Sequence, residues 1–180
     1  MRPAEVELEA AADVSDDGFA AAPDRIRGVV VLGIGNTLLT DDGIGVHVVT
    51  RLQAEGIPDR VLVRDGGTMG LSLLTDFATD IGIIAIDAME LGDAPGTVRR
   101  FDGVAMDRQL GGPKKTAHEV ALSDLLSAAH LSGCAPDQRA LIAIQPDVTT
   151  LGLTPTDAVA AALPEAVAIV RQILKEWLDG

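Results

Sequence analysis

The chain has 180 residues, enough for one domain with a buried core, and a formal net charge of −13, which repels a phosphate backbone and excludes nucleic acid as a ready partner. Cys134 is the sole cysteine, so an internal disulfide is excluded. Phe19, Phe77, Phe101 and Trp177 are the only aromatic residues, so the core must be built from Val, Ile, Leu and Ala, a composition suited to parallel strands buried under helices.

Residues 1–27 are Ala-rich and acidic, with Glu5, Glu7, Glu9, Asp13, Asp16 and Asp17 but no sustained apolar face. They read as a mobile tail with at most a frayed helix near Ala4–Ala12. The basic start and apolar core of a signal peptide are lacking, and no stretch is apolar enough to span a bilayer, so the expected location is cytoplasmic. The folded domain is expected over 28–180.

Gly28–Ile34 reads as a buried strand. Asp41-Asp42-Gly43 then opens a helix to about Ala54, with Ile44, Val48, Val49 and Leu52 on its apolar face and either aspartate as its cap. Arg60–Arg64 is a second strand, stopped by Asp65-Gly66-Gly67, and Leu71–Ala78 a short helix. Ile81–Ile86 is the most apolar strand and is expected at the centre. Gly96–Phe101 is a weaker strand suited to an edge, where it can run antiparallel. Glu119–Leu131 is helical through Val120, Leu122, Leu125 and Leu126. Arg139–Ile144 is another buried strand, and a long helix runs from Pro155 or Thr156 to about Leu178. The alternation predicts an α/β three-layer sandwich, with a twisted, mainly parallel five-stranded sheet and helices on both faces.

Polar turn residues follow each strand: Gly33-Ile-Gly35-Asn36 and Asp41-Asp42 after the first, Asp65-Gly-Gly-Thr68 after the second, Asp87 after the third, Gln145-Pro-Asp147 after the last. Ligands of open α/β sheets bind at the carboxyl ends of the strands, where these groups would converge. The glycines of the first loop are not a dinucleotide fingerprint, because Leu38 stands where its third glycine belongs. They permit close backbone approach by a neighbour, such as a peptide. Each polar residue also has an ordinary reading. Asp42 can cap the helix, Asp65-Gly66 is a common turn pair, Asp87 can be a solvated loop acid, and His118 can face solvent at a helix start. Taken together, Asp42, Asp87 and His118 at one end of a sheet form a three-ligand site with open positions, suited to zinc, nickel or manganese. His47, His130 and Cys134 are given no role, and Lys114-Lys115 reads as a solvated basic turn.

The run Gly33-Ile-Gly-Asn-Thr-Leu-Leu-Thr-Asp-Asp-Gly-Ile-Gly45, followed by Asp65-Gly-Gly-Thr68, Ile86-Asp-Ala88, His118, Ala143-Ile-Gln-Pro146 and Gly152-Leu-Thr-Pro-Thr156, resembles the nickel–iron hydrogenase maturation endopeptidases over about Gly28 to Leu178. The resemblance implies removal of a C-terminal extension from a nickel-loaded hydrogenase large-subunit precursor. It puts the metal-contacting residues at Asp42, Asp87 and His118, with Asp42 where relatives often carry Glu. The nickel would arrive with the precursor, and zinc or cadmium could substitute in isolation. The catalytic base would be Asp42 or Asp65, in a metal-assisted or an aspartyl-protease reaction. The precursor is the implied partner, with no membrane, and a monomer or weak homo-oligomer is expected. No Ser-His-Asp or Cys-His pattern fits the crevice, and no His-Glu-x-x-His is present. The rival readings are a non-catalytic nickel-checking chaperone, a small-molecule hydrolase or phosphorylase on a similar scaffold, and a broad-specificity peptidase.

Overall fold

The structure, a computed structural model, describes residues 27–67, 74–112 and 117–179, with side chains from residue 120 in the last segment. Five strands form one sheet: β1 (Gly28–Ile34), β2 (Val61–Gly67), β3 (Ile81–Ala88), β4 (Val98–Asp102) and β5 (Arg139–Ile144). Their order is β2-β1-β3-β5-β4, parallel except for β4, which runs antiparallel on β5. The apolar third strand is central and the weak fourth strand lies at an edge, both as expected from hydropathy.

The strands alternate their side chains between two apolar layers, as the pleat requires. Val29, Val31, Ile84, Ile86 and Ile142 pack on one face beneath α1 (Ile44–Glu55) and α4 (Asp157–Asp179). Val30, Leu32, Ile83, Ala85 and Leu141 pack on the other, with Met106 and Leu110 of α2 (Val104–Leu110) and Leu122, Leu125 and Leu126 of α3 (Ala117–Leu131). The three-layer sandwich is therefore present, and its interior is aliphatic: among the described aromatic residues only Phe77 is buried in it, while Phe101 and Trp177 pack half-buried at its margins.

Several local expectations change. The helix expected at Asp41 begins as a 3-10 turn, Thr40–Gly43, and becomes α1 only at Ile44. Asp65-Gly66-Gly67 does not stop the second strand; β2 continues through it, with a register shift opposite Gly33 and Ile34. Helix α2 was not expected, because its seven residues are too few to show a helical period. Val120, assigned to the apolar face of α3, is 41% exposed. A single helical turn at 74–76 is what the described residues show of the expected Leu71–Ala78 helix. The acidic tail lies outside the described residues except for Arg27, whose N–H donates to Asp80 O (2.6 Å) and so joins the domain.

Helix α4 runs through Pro164. A proline inside a helix costs about 3 kcal/mol. Burial of Val159, Val167, Val170, Ile173 and Leu174 from the same helix, at roughly 1.5–3 kcal/mol per large aliphatic side chain, outweighs that cost.

Candidate active site at the carboxyl edge of the sheet

The chain leaves β1 for β2 on one side and then crosses back to β3 on the other. The switch point of this sheet therefore lies between the carboxyl ends of β1 and β3, which is where open α/β sheets form a ligand crevice. The 3-10 turn Thr40–Gly43 follows β1 there and packs against β3.

Glycine makes this packing possible. A Cβ on Gly45 would sit 2.2 Å from Ile86 O and 2.4 Å from Ile34 O, so the first turn of α1 rests on the backbones of both strands. Gly35, at φ +122°, lies so close to the Asp42 carbonyl that a side chain would overlap it. The glycines expected to admit an approaching peptide are thus taken up by the chain's own backbone. Asn36 closes the loop: its Oδ1 accepts the Leu38 N–H (3.0 Å) and its carbonyl the Leu39 N–H (2.9 Å).

Asp42 is 5% exposed, and its Oδ2 accepts the Asn36 N–H at 2.9 Å. It does not cap the helix; neither the 3-10 turn nor α1 has a side-chain cap. Asp87 is fully buried near the end of β3, level with Ala143 of β5. Strand alternation puts it on the same face as Ile83 and Ala85, which is the face covered by α2 and α3. Its reading as a solvated loop acid is excluded by this burial. His118 is the second residue of α3, and its side chain lies outside the described residues. Because α3 leads down to the start of β5, its first turn lies at the carboxyl edge, on the face that carries Asp87. Asp65 is exposed at the register shift of β2, beside the loop after β1, whose Gly35 N–H donates to Gly67 O of β2 (3.4 Å).

Asp42 and Asp87 are thus brought to the switch point, His118 to the same edge at the level of its backbone, and Asp65 to the rim. Among the described residues no group of three His, Cys, Asp or Glu side chains is clustered to hold a metal. Two buried carboxylates are nevertheless hard oxygen donors suited to a cation. Thr68, Lys114 and Lys115 lie outside the described residues. His130 is exposed, and His47 is half-buried, its Nε2 without a hydrogen-bond partner among the described residues.

Asp41 is the residue that sequence reasoning undervalued. It is fully buried, and its carboxylate accepts four hydrogen bonds: from Asp147 N (2.9 Å), Val148 N (2.9 Å), Thr156 N (2.6 Å) and Thr156 Oγ1 (3.0 Å). Burial alone would raise its pKa, but the N–H donors of Val148, Thr156 and Asp147, with the Thr156 hydroxyl, prevail and hold it below the ordinary aspartate value. Asp41 N–H returns a bond to Val148 O (3.1 Å), and Thr40 N–H to Gly152 O (2.9 Å). Thr40 itself sits at φ +48°, an unfavourable backbone for a β-branched residue, held there by bonds to Gly152 and Thr150. Asp41 therefore clamps the loop before α4 to the turn that carries Asp42. The adjacent acids hinted at this division of labour, but partners more than a hundred residues away were not legible. Gln145 performs a similar task for the loop after β3, its Oε1 accepting from Leu91 N (2.7 Å) and Gly92 N (3.0 Å).

Comparison with known proteins shows the family and agrees with the fold. Residues 46–173 match the family of hydrogenase maturation proteases. The chain is 37% identical over 155 residues to the hydrogenase 2 maturation protease of Escherichia coli (strain K12), covering 82% of this chain and 91% of that protein. It is 33% identical over 161 residues to the hydrogenase expression/formation protein HupD of Rhizobium leguminosarum bv. viciae, covering 88% of this chain and 80% of that one. Among solved structures, the hydrogenase maturating endopeptidase HybD from E. coli superposes with a TM-score of 0.78 at 34% identity, covering 83% of this chain and 93% of that one. The [NiFe] hydrogenase maturation protease HybD from Thermococcus kodakarensis gives 0.70 at 27% identity, over 82% and 99% of the two chains.

Proposed function

This chain belongs to the hydrogenase maturation protease family and is an endopeptidase of hydrogenase maturation; from that premise we propose that it removes a C-terminal extension from the nickel-loaded precursor of a hydrogenase large subunit, in the cytoplasm. The observation that supports this reading is the pair of buried carboxylates, Asp42 and Asp87, at the switch point of the sheet. Two carboxylates at the switch point are hard oxygen donors, a set that suits a cation brought by the substrate.

The nickel is part of the substrate. Asp42, Asp87 and His118 contact it, leaving positions for the ligands the precursor already supplies, so an unloaded precursor lacks the contact that aligns its scissile bond. In the isolated protein, zinc or cadmium can occupy the same ligands. The ion supplies Lewis acidity next to the bond to be cut. Asn36 N–H holds one oxygen of Asp42 at 2.9 Å and so limits rotation of the carboxylate. Asp65, exposed at the rim and outside the ligand set, takes a proton from the attacking water. The water oxygen adds to the carbonyl carbon, the C–N bond breaks, and the proton passes to the departing amine.

The test is to incubate the protein with its cognate precursor, with and without loaded nickel, and to weigh the products by mass spectrometry. The expected result is nickel-dependent loss of one short C-terminal peptide. An intact loaded precursor would overturn the reading.

A further inference from the structure

Among the described residues, nine large apolar side chains are exposed, and four of them, Leu38 (56%), Val148, Leu151 (86%) and Leu153 (71%), fall on two short loops. The loops are neighbours. Leu39 and Gly152 form a parallel bridge, Gly152 N–H donates to Leu38 O (3.0 Å), and Thr40 N–H donates to Gly152 O (2.9 Å). Beneath them the Asp41 carboxylate accepts from Val148 N and Thr156 N. The leucines are therefore presented on a braced platform, and the same turn carries Asp42. Solvent-facing leucines on a fixed support gain nothing for the fold and are suited to contact with a partner.

Charge limits what that partner is. Residues 28–50 and 140–170, which contain both loops, include no lysine or arginine. Asp147 and Asp157 flank the leucines and are exposed. An apolar surface bordered by carboxylates complements an apolar segment that carries Lys or Arg. An endopeptidase must bring a polypeptide to its site, and these loops border the crevice. We infer that Leu38, Leu151 and Leu153, with Asp147, form the surface on which the precursor polypeptide docks, through an apolar stretch next to a basic residue. The inference rests on the function proposed above.

Two variants of the full chain test it, the double substitution Leu151→Ser with Leu153→Ser, and Asp147→Lys, with Leu131→Ser as a control. Leu131 is 91% exposed at the opposite end of α3. Cleavage of nickel-loaded precursor is followed by mass spectrometry over a range of precursor concentrations. Both rim variants are expected to raise KM, by about tenfold or more for the double variant, with kcat and the unfolding midpoint unchanged. The control should match the parent. An unchanged KM in either rim variant overturns the inference, and so does an unchanged KM accompanied by loss of self-association, which would make the rim a contact between copies. If the parent itself does not cleave, the proposed function fails, and direct titration decides the rim separately. Parent that binds the precursor while the rim variants do not sustains it; equal binding by all of them overturns it.

Discussion

The two ends of the sheet solve the problem of charge differently. At the amino end, carboxylates meet guanidinium groups: Asp107 of α2 accepts from Arg139 Nε at the start of β5 (2.8 Å), and Asp80 pairs with Arg27 (3.3 Å). The Arg139 hydrogen bond holds Asp107 below the usual aspartate pKa despite partial burial. A cleft there, lined by Pro58, Asp59, Arg60, Arg171 and Lys175, mixes both signs. At the carboxyl end, Asp41, Asp42 and Asp87 are all buried, and Asp41 is neutralised by N–H dipoles and a hydroxyl rather than by a cation. The amino end holds the fold together with paired charges. The carboxyl end also holds a surface pair, Arg99 with Asp93 (2.6 Å), but its three buried acids come from the turn after β1 and the end of β3.

The sharpest way to break this contrast is at Asp87. Asp87→Asn preserves shape and removes the charge, and His118→Ala removes the imidazole. Each is expected to lower precursor processing by more than about a hundredfold while the circular dichroism spectrum stays that of the parent. Full processing by either variant would remove the metal-contact assignment.

Asp41 should behave differently, since its work is within the fold. Asp41→Ala leaves buried N–H donors without an acceptor and is expected to cost at least about 3 kcal/mol in urea unfolding. Asp41→Asn keeps one acceptor oxygen and should lose less. The pH dependence follows from the lowered native pKa. Between the native and unfolded values, the unfolded chain binds the extra proton, so Asp41 stabilises the fold fully above the unfolded value of about 3.9 and loses that contribution as pH falls through the native one. Urea midpoints measured from pH 7 to pH 3 should therefore drop less steeply for Asp41→Asn than for the parent.

Arg139→Gln breaks the amino-end pairing instead. The expected loss is about 1 kcal/mol of stability, with processing of the precursor unchanged. A fall in kcat would mean that the two ends are coupled. Thr40→Gly is the smallest change. Relief of the positive φ opposes loss of the hydroxyl bond to Thr150 and a more flexible unfolded chain, so the midpoint should move by less than about 0.5 kcal/mol.

Much of this was legible from residue order. The aliphatic runs of β1, β3 and β5 and the period of α1, α3 and α4 give the layers, because burial on one or both faces leaves a repeating trace in the chain. The edge position of β4 follows from its weaker hydropathy. Asp42, Asp65, Asp87 and His118 could be named as candidates because each was expected after a strand or at a helix start, and because the Asp-Asp-Gly run resembles the family motif. Helix α2 left no trace, being too short for a period, and the continuation of β2 through Asp-Gly-Gly ran against the turn preference of those residues. Tertiary pairing with β1 outweighed that local preference.

The sequence by itself determined the layers, the order of strand and helix, and which acids stand at strand ends, because these depend on local period and turn chemistry. Only the tertiary structure decided what each neighbouring acid does. Asp41 and Asp42 are adjacent and chemically identical, yet one is bound to Val148 and Thr156 and the other to Asn36 at the switch point. Only the tertiary structure, too, turned the motif glycines from an opening for a ligand into the seat of α1 on β1 and β3. The physical reason is the same in both cases: a carboxylate's role and a glycine's necessity are set by atoms that approach from distant parts of the chain, and a linear pattern records no such approach.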